Sequence, residues 1–293
     1  MSTTADEIRS QPDLWRQAAA LDAPELPAHG LDVCVIGCGT SLYMAQAWAA
    51  LREACGHGRT DAFPASEVPA GRRYDVVVAL SRSGTTTEVA HALGRLDART
   101  VAITAVAGTP VAEAADDVVV LDFADEASVV QTRFATTALT LLRAHEGIDT
   151  ARAAADAERA LELPLPVAPG AADRWAFLGR GWTVGLAHEA ALKLRESAQA
   201  WTEAYPLFEY RHGPISIAGP GAAVWFLGAP PDGVGDAVEA AGGLAVAPDL
   251  DPLASLVLAQ RTAVALAEAA GLDPDSPRNL TRSVVLTSTE VLQ

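Results

Sequence analysis

Lysine is almost missing from this 293-residue chain: of 21 basic residues only Lys193 is lysine, and the rest are arginine. Basic clusters are missing too, and 37 acidic residues bring the formal net charge to −16. Phosphate backbones are bound by clustered Lys and Arg, so nucleic acid is excluded as a partner, and an anionic membrane surface with it. No apolar run approaches the roughly 18 residues of a membrane span, and Met1–Gln17 is polar. Cysteine is scarce: Cys34, Cys38 and Cys55 are an odd number, which suits a reducing cytoplasm better than a disulfide framework. Cys34-x-x-x-Cys38 has no further ligands for a zinc site and reads as a buried strand thiol followed by a loop thiol. What is abundant is hydrophobic side chain, 50% of the total, enough to exclude disorder and to fill the cores of about two domains. The expectation is a cytoplasmic protein.

Short β-branched runs alternate with Ala- and Leu-rich helical patterns. Asp32–Gly37, Tyr74–Leu80, Thr100–Thr104 and Asp117–Leu121 read as strands buried on both faces. Ser41–Ala54, Thr86–Leu96 and Val129–His145 read as the helices between and after them. This alternation predicts an α/β fold with a doubly wound parallel sheet. A second cycle opens at Trp175–Gly179, and Gly37-x-Gly39 recurs as Gly179-x-Gly181 at an offset of 142. The expectation is two doubly wound units in tandem with helices on both faces. Residues 1–28 form a helical lead-in, 29–162 the first unit, 163–170 a proline-rich linker, 171–272 the second unit, and 273–293 a tail over the site.

Ligands of open parallel sheets bind beyond the carboxyl ends of the strands. Two loops of the first unit lie there: Gly37-Cys38-Gly39-Thr40-Ser41 and Ser81-Arg82-Ser83-Gly84-Thr85-Thr86-Thr87. Backbone N–H groups and hydroxyls together hold a phosphate monoester without lysine. Gly37-x-Gly39 lacks the third glycine of a dinucleotide fingerprint. Helix capping accounts for one or two of the hydroxyls, but five in seven residues after a buried strand favour an anion site. The corresponding loop of the second unit, Gly228-Ala229-Pro230-Pro231-Asp232-Gly233, has no hydroxyl.

Proton-transfer candidates fall in the second unit. Lys193 and Glu196 are three apart and share a helix face with Glu189. Glu196 beside a cation is a candidate proton shuttle; a solvated ion-pair ladder is the simpler reading, and pattern alone favours it. His212 precedes Gly213-Pro214, a rigid loop, and is a candidate acid or base, although a lone loop histidine is more often a surface residue. His29, His57, His91, His145 and His188 read as structural.

Ser81-x-Ser83-Gly84-x-Thr86, Phe177–Gly181, Glu189-x-Ala-Leu-Lys-Leu-x-Glu196, Glu203-Ala-Tyr205, His212-Gly-Pro214 and Pro277-Arg-Asn-Leu-x-Arg282-Ser-Val284 together resemble the isomerase portion of glucosamine-6-phosphate synthase, a tandem of sugar isomerase (SIS) domains. Glu7-Ile8-x-x-Gln11-Pro12 is similar to that portion's lead-in helix. The resemblance implies that Ser41, Ser81, Ser83 and Thr86 hold a sugar phosphate, with Arg82 contributing through its backbone and Gly39, Thr40 and Gln131 lining the substrate. It implies Glu196 as the base between C1 and C2, Lys193 beside the reacting end, and His212 opening the ring. In the family that histidine comes from the neighbouring subunit, which implies a homodimer.

Four departures bear on function. Met1-Ser2 leads straight into the isomerase region, so the expectation is a chain without a glutaminase domain, unable to draw ammonia from glutamine. The family's tail lysine is Arg282, and a guanidinium forms no Schiff base with a ketose. The phosphate-loop glutamine is Arg82, and the family's Ala-Ser-Thr-Lys segment is Val130-Gln131-Thr132-Arg133. The leading expectation is an isomerising deaminase of a hexosamine 6-phosphate, needing no metal or cofactor. Aldose–ketose isomerisation, deglycation of a phosphorylated fructosamine, and non-catalytic sensing of a sugar phosphate are the alternatives.

Overall fold

The computed structural model describes residues 2–286; Met1 and positions 287–293 of the expected tail lie outside the described residues. In chain order the elements are α1 (Thr3–Ala19), β1 (Val33–Gly37), α2 (Thr40–Ala54), β2 (Thr60–Pro64), β3 (Val76–Ser81), α3 (Thr87–Leu93), β4 (Arg99–Thr104), α4 (Pro110–Glu113), β5 (Asp117–Val120), α5 (Arg133–His145), α6 (Ala151–Glu162), β6 (Arg174–Gly179), α7 (Thr183–Ala198), β7 (Trp201–Pro206), β8 (Ala222–Phe226), α8 (Val234–Ala240), β9 (Leu244–Val246) and α9 (Pro252–Ala269). They build two all-parallel sheets, in the orders β2-β1-β3-β4-β5 and β7-β6-β8-β9. The α/β class expected from the sequence is the observed one. Among the described residues no helix is long and apolar enough to cross a membrane.

Two compact units emerge, and neither is a single stretch of chain. One gathers Leu14–Ala127 and Arg133–Thr150 with the tail from Thr281; the other gathers the residues up to Asp13, Ser128–Thr132 and Ala151–Leu280. In the first-sheet unit every residue of β1 and β3 is buried, which is why these strands show no polar alternation. On one face Cys34, Ile36, Val77, Ala79 and Ala102 pack with Val89 and Leu93 of α3 and Val111 of α4. In the second-sheet unit Ala176, Leu178, Val224 and Phe226 pack against Val234 and Val238 of α8. Phe177 stacks on Trp225 at 5.9 Å, and the Trp225 indole N–H donates to Ser255 of α9 at 3.0 Å.

The N-terminal helix takes its cap from far along the chain. Thr3 and Thr4 donate their backbone N–H groups to the Asp275 carboxylate at 2.8 and 2.7 Å, and the Thr4 hydroxyl donates to the same group. Burial opposes ionisation of Asp275, but these donors outweigh it and hold its pKa below the ordinary carboxylate value. Gln11 donates to Gln260 at 2.8 Å, and Ser128 donates to Glu7, so residues 3–13 belong to the second-sheet unit.

The Gly-x-Gly signature noted at an offset of 142 has a structural counterpart. Gly37 and Gly179 each end a strand, and a Cβ on either would lie 2.7 Å from the Ser41 carbonyl carbon or 2.1 Å from the Thr183 carbonyl oxygen. Gly39 and Gly181 both turn left-handed, with φ of +55° and +56°. In both places a helix's first turn is drawn against the end of its strand, which side chains at the glycines would prevent.

Candidate functional site

The first-sheet unit presents the hydroxyl loops. Ser81 ends β3 and is 3% exposed, and among the described residues its buried Oγ has no hydrogen-bond partner. A buried hydroxyl without a partner is costly unless a ligand or water supplies one. Thr86 is the N-cap residue of α3 but makes no side-chain cap bond, so capping does not account for its hydroxyl. The remaining hydroxyls of the loop are engaged: Ser83 Oγ accepts from the Thr85 backbone N–H at 3.2 Å, and the Thr85 hydroxyl lies within hydrogen-bond distance of the Ser83 and Ser283 hydroxyls, at 3.0 and 2.8 Å. Thr87 accepts from the Leu286 N–H at 2.9 Å. At the neighbouring loop, Thr40 and Ser41 open α2, both buried, directly after the left-handed Gly39.

The loop's shape depends on Gly84, whose φ is +66° and whose missing Cβ would stand 2.0 Å from Thr109 Oγ1. Its carbonyl accepts from Val111 N–H at 2.9 Å. Gly84→Ala is therefore expected to destabilise this unit by about 1–3 kcal/mol, from the left-handed backbone and the displaced Thr109, and to weaken anion binding. Thermal unfolding with and without inorganic phosphate measures both.

Arg82 is buried, and its guanidinium faces the protein. It donates to the Arg282 carbonyl at 2.8 Å and lies 3.8 Å from the Glu126 carboxylate. Arg282 in turn donates to the Glu126 carbonyl and pairs with Asp125. Glu126 also accepts the Arg133 N–H at 2.7 Å, which is why α5 begins at Arg133 and not at Val129 as the periodicity suggests. Asp125 and Glu126 thus anchor both arginine departures; nothing in the sequence marks them, because their partners lie up to 157 positions away. Burial, reinforced by Glu88, pushes the Cys38 thiol up to about 11, and burial with Asp61 pushes Cys34 to about 12. Both are protonated at neutral pH and are not nucleophiles.

The second-sheet unit holds the proton-transfer candidates. Lys193 is 1% exposed, with its ammonium 2.5 Å from Glu196 Oε2 and 3.4 Å from Glu189 Oε1. The Glu189 side chain is 1% exposed and that of Glu196 18%. A solvated ladder, the reading that pattern alone favoured, would leave all three side chains in water. One buried cation shared by two carboxylates, one of them reaching solvent, is a different object. Glu203 and Tyr205 lie on β7, and Tyr205 and Tyr210 pack with ring centroids 6.0 Å apart. Burial, then Glu203 and Tyr205, pushes the Tyr210 phenol up to about 12. His212 closes a short 3-10 turn, exposed, before Gly213 at φ +140°. Gln131 is half-buried in the Ser128–Thr132 segment of this same unit. At the carboxyl ends of β6 and β8 a cavity of about 380 Å³ is lined by Leu178, Phe226, Pro230 and Pro231, with the Arg180 guanidinium 5.2 Å from the Phe208 ring centroid. Among the described residues Thr183 is the one hydroxyl-bearing residue of its lining, and that hydroxyl is bonded to the Arg180 backbone.

Comparison with known proteins fits this geometry. Residues 31–145 match the family model described as the SIS domain. A glutamine–fructose-6-phosphate aminotransferase (isomerizing) of Aeropyrum pernix is 32% identical over 269 residues, covering 72% of this chain and 43% of that protein. The chain thus spans less than half the length of this curated relative. The crystal structure of glucosamine-6-phosphate deaminase from Thermotoga maritima superposes with a TM-score of 0.85 at 25% identity, covering 97% of this chain and all of that one. Tagatose-6-phosphate ketose/aldose isomerase from Escherichia coli, at 19% identity, shares the fold with a TM-score of 0.76 over 98% and 97% of the two chains. The fold is that of phosphosugar isomerases.

Proposed function

We propose, with the SIS-domain match as premise, that this chain is a phosphosugar isomerase that deaminates a hexosamine 6-phosphate. Ser41, Ser81, Ser83 and Thr86, with the backbone of Arg82 and Gly39-Thr40, hold the phosphate. Glu196 takes the C2 proton of the open-chain aldehyde and returns it to C1, with Lys193 against the reacting end. The resulting C2 imine adds water and expels ammonia, leaving the ketose phosphate. The partner subunit's His212 opens the ring, which makes a homodimer the working form, and Gln131 contacts the sugar. Arg282, engaged by Asp125, serves as a fixed cation and forms no imine.

The observation that carries this reading is the buried Lys193 ammonium against Glu196. A binding module for a sugar phosphate has use for the Ser81 loop but none for a carboxylate paired with a buried lysine. The test is incubation with glucosamine 6-phosphate and assay of ammonia together with fructose 6-phosphate. Equimolar products are expected. Conversion of a neutral hexose phosphate without ammonia would replace deamination by simple isomerisation. Binding without turnover on any hexose phosphate, with Glu196→Gln indistinguishable from the parent, would reduce the protein to a sensor.

A further inference from the structure

Three of the six histidines, His29, His57 and His145, gather at one place in the first-sheet unit, around a carboxylate with no solvent exposure. His29 comes from the loop before β1, His57 from the turn between α2 and β2, and Glu146 from the end of α5. The His57 Nδ1 is 2.5 Å from Glu146 Oε2, and the His29 Nε2 is 3.7 Å from that same oxygen. The three atoms all lie within 4.8 Å of one another. The imidazoles of His29 and His57 stack with centroids 3.5 Å apart, and His145 meets His29 edge-on at 5.9 Å.

We propose that His29, His57 and Glu146 bind a divalent transition ion of the zinc type. The donors, two imidazoles and a carboxylate, are the ones such ions take. Bonds of about 2.0–2.2 Å put tetrahedral ligand atoms about 3.3–3.5 Å apart. The two observed separations from Glu146 Oε2, 2.5 and 3.7 Å, bracket that edge, and all three ligand atoms lie within 4.8 Å of one another. The carboxylate is pre-oriented: Trp48 donates its indole N–H to Oε1 at 2.8 Å, leaving Oε2 toward the imidazoles. Arg52 is also on the Oε1 side, its Nε 3.9 Å away, while its two terminal nitrogens donate to Leu31 O, Thr60 Oγ1 and Ala28 O. His145 is held at Pro27 O and keeps the His29 loop in place. His29 is half in solvent, which leaves the fourth position to water.

The site lies at the end of the first sheet where strands begin, whereas the Ser81 loop follows the strand ends. Its role is structural, tying a loop and two helix ends together, and it is independent of the sugar chemistry. No spacing in the sequence announces it, since the ligands are 28 and 89 positions apart and come from unrelated turns.

The test uses full-length protein stripped by chelator. Titration with Co2+ is expected to give one equivalent, with the visible absorption of a four-coordinate ion, and Zn2+ is expected to displace it. Saturating Zn2+ should raise the unfolding temperature by several degrees, because the ion binds only the folded arrangement. His29→Ala, a change at a half-exposed side chain, should weaken binding at least tenfold while leaving the metal-free unfolding temperature unchanged; His57→Asn should abolish the Co2+ spectrum. Absence of binding at micromolar metal, or binding that survives both variants, overturns the proposal.

Discussion

Glu196→Gln is expected to lower turnover by roughly 10²–10⁴-fold, the contribution of a positioned general base. Glutamine matches the shape of glutamate and still offers Lys193 an oxygen, so the fold should be unchanged and the loss should be chemical. The hydroxyls proposed to hold the phosphate do not involve this side chain, and KM is expected to stay near the parent value while kcat falls. A second readout isolates the step: in deuterated water the parent should exchange the C2 hydrogen of the substrate for solvent deuterium, and the variant should not. A variant that retains exchange at the parent rate would remove Glu196 from the chemistry.

Lys193→Met is expected to cause the largest loss of stability of any single change at the site. The methionine keeps most of the volume but removes the ammonium that Glu189 and Glu196 share, leaving carboxylates in a buried position. Breaking a buried pair by removing one partner costs about 3–5 kcal/mol. At ~2–4 °C per kcal/mol, the second-sheet unit should unfold roughly 6–20 °C lower. Adding Glu189→Gln should restore much of that temperature, because it removes the more deeply buried of the two orphaned charges. It should not restore turnover, since the ammonium beside the reacting end is still absent. Thermal unfolding followed by circular dichroism, alongside the ammonia assay, separates the two effects. If Lys193→Met melts with the parent, the triad is not the buried ion cluster described here.

Much of the fold was legible because its interior strands are unambiguous. β1, β3, β4 and β6 are short β-branched or aromatic runs closed by glycine, serine or threonine, β8 is an apolar run that reaches Gly228 through Leu227, and the helices after them keep a 3.6-residue period. Two of the four edge strands, β2 and β7, were not legible, for a shared reason. Thr60–Pro64 is only partly buried and ends in proline, and Trp201–Pro206 carries an exposed tryptophan and a glutamate. Edge strands bury one side and tolerate charge, so their pattern resembles loop. The Glu203-Ala-Tyr205 motif carries the family resemblance but not the alternation of a strand. At the candidate site the hydroxyl loop was visible as composition, and Lys193 and Glu196 as helical spacing. Their burial was not visible, since a sequence of Glu, Lys and Glu at i, i+4 and i+7 serves equally well on a wet surface. The Arg82–Glu126 and Arg282–Asp125 ties were invisible because long-range partners leave no local trace.

The placement of residues 3–13 in the second-sheet unit sets an order of events during synthesis. Gln11 leaves the ribosome 249 positions before Gln260, and Thr4 leaves it 271 positions before Asp275. At about 5–20 residues per second, roughly 13–50 s separates the appearance of the helix from that of its partners. For that interval the Ile8 side chain, fully buried in the finished protein, is in water and open to chaperones and proteases. The first-sheet unit has no such wait for its strands and can form its core while the second half is still being made. Removal of Asp275 and the residues after it would therefore also leave the start of α1 without its cap.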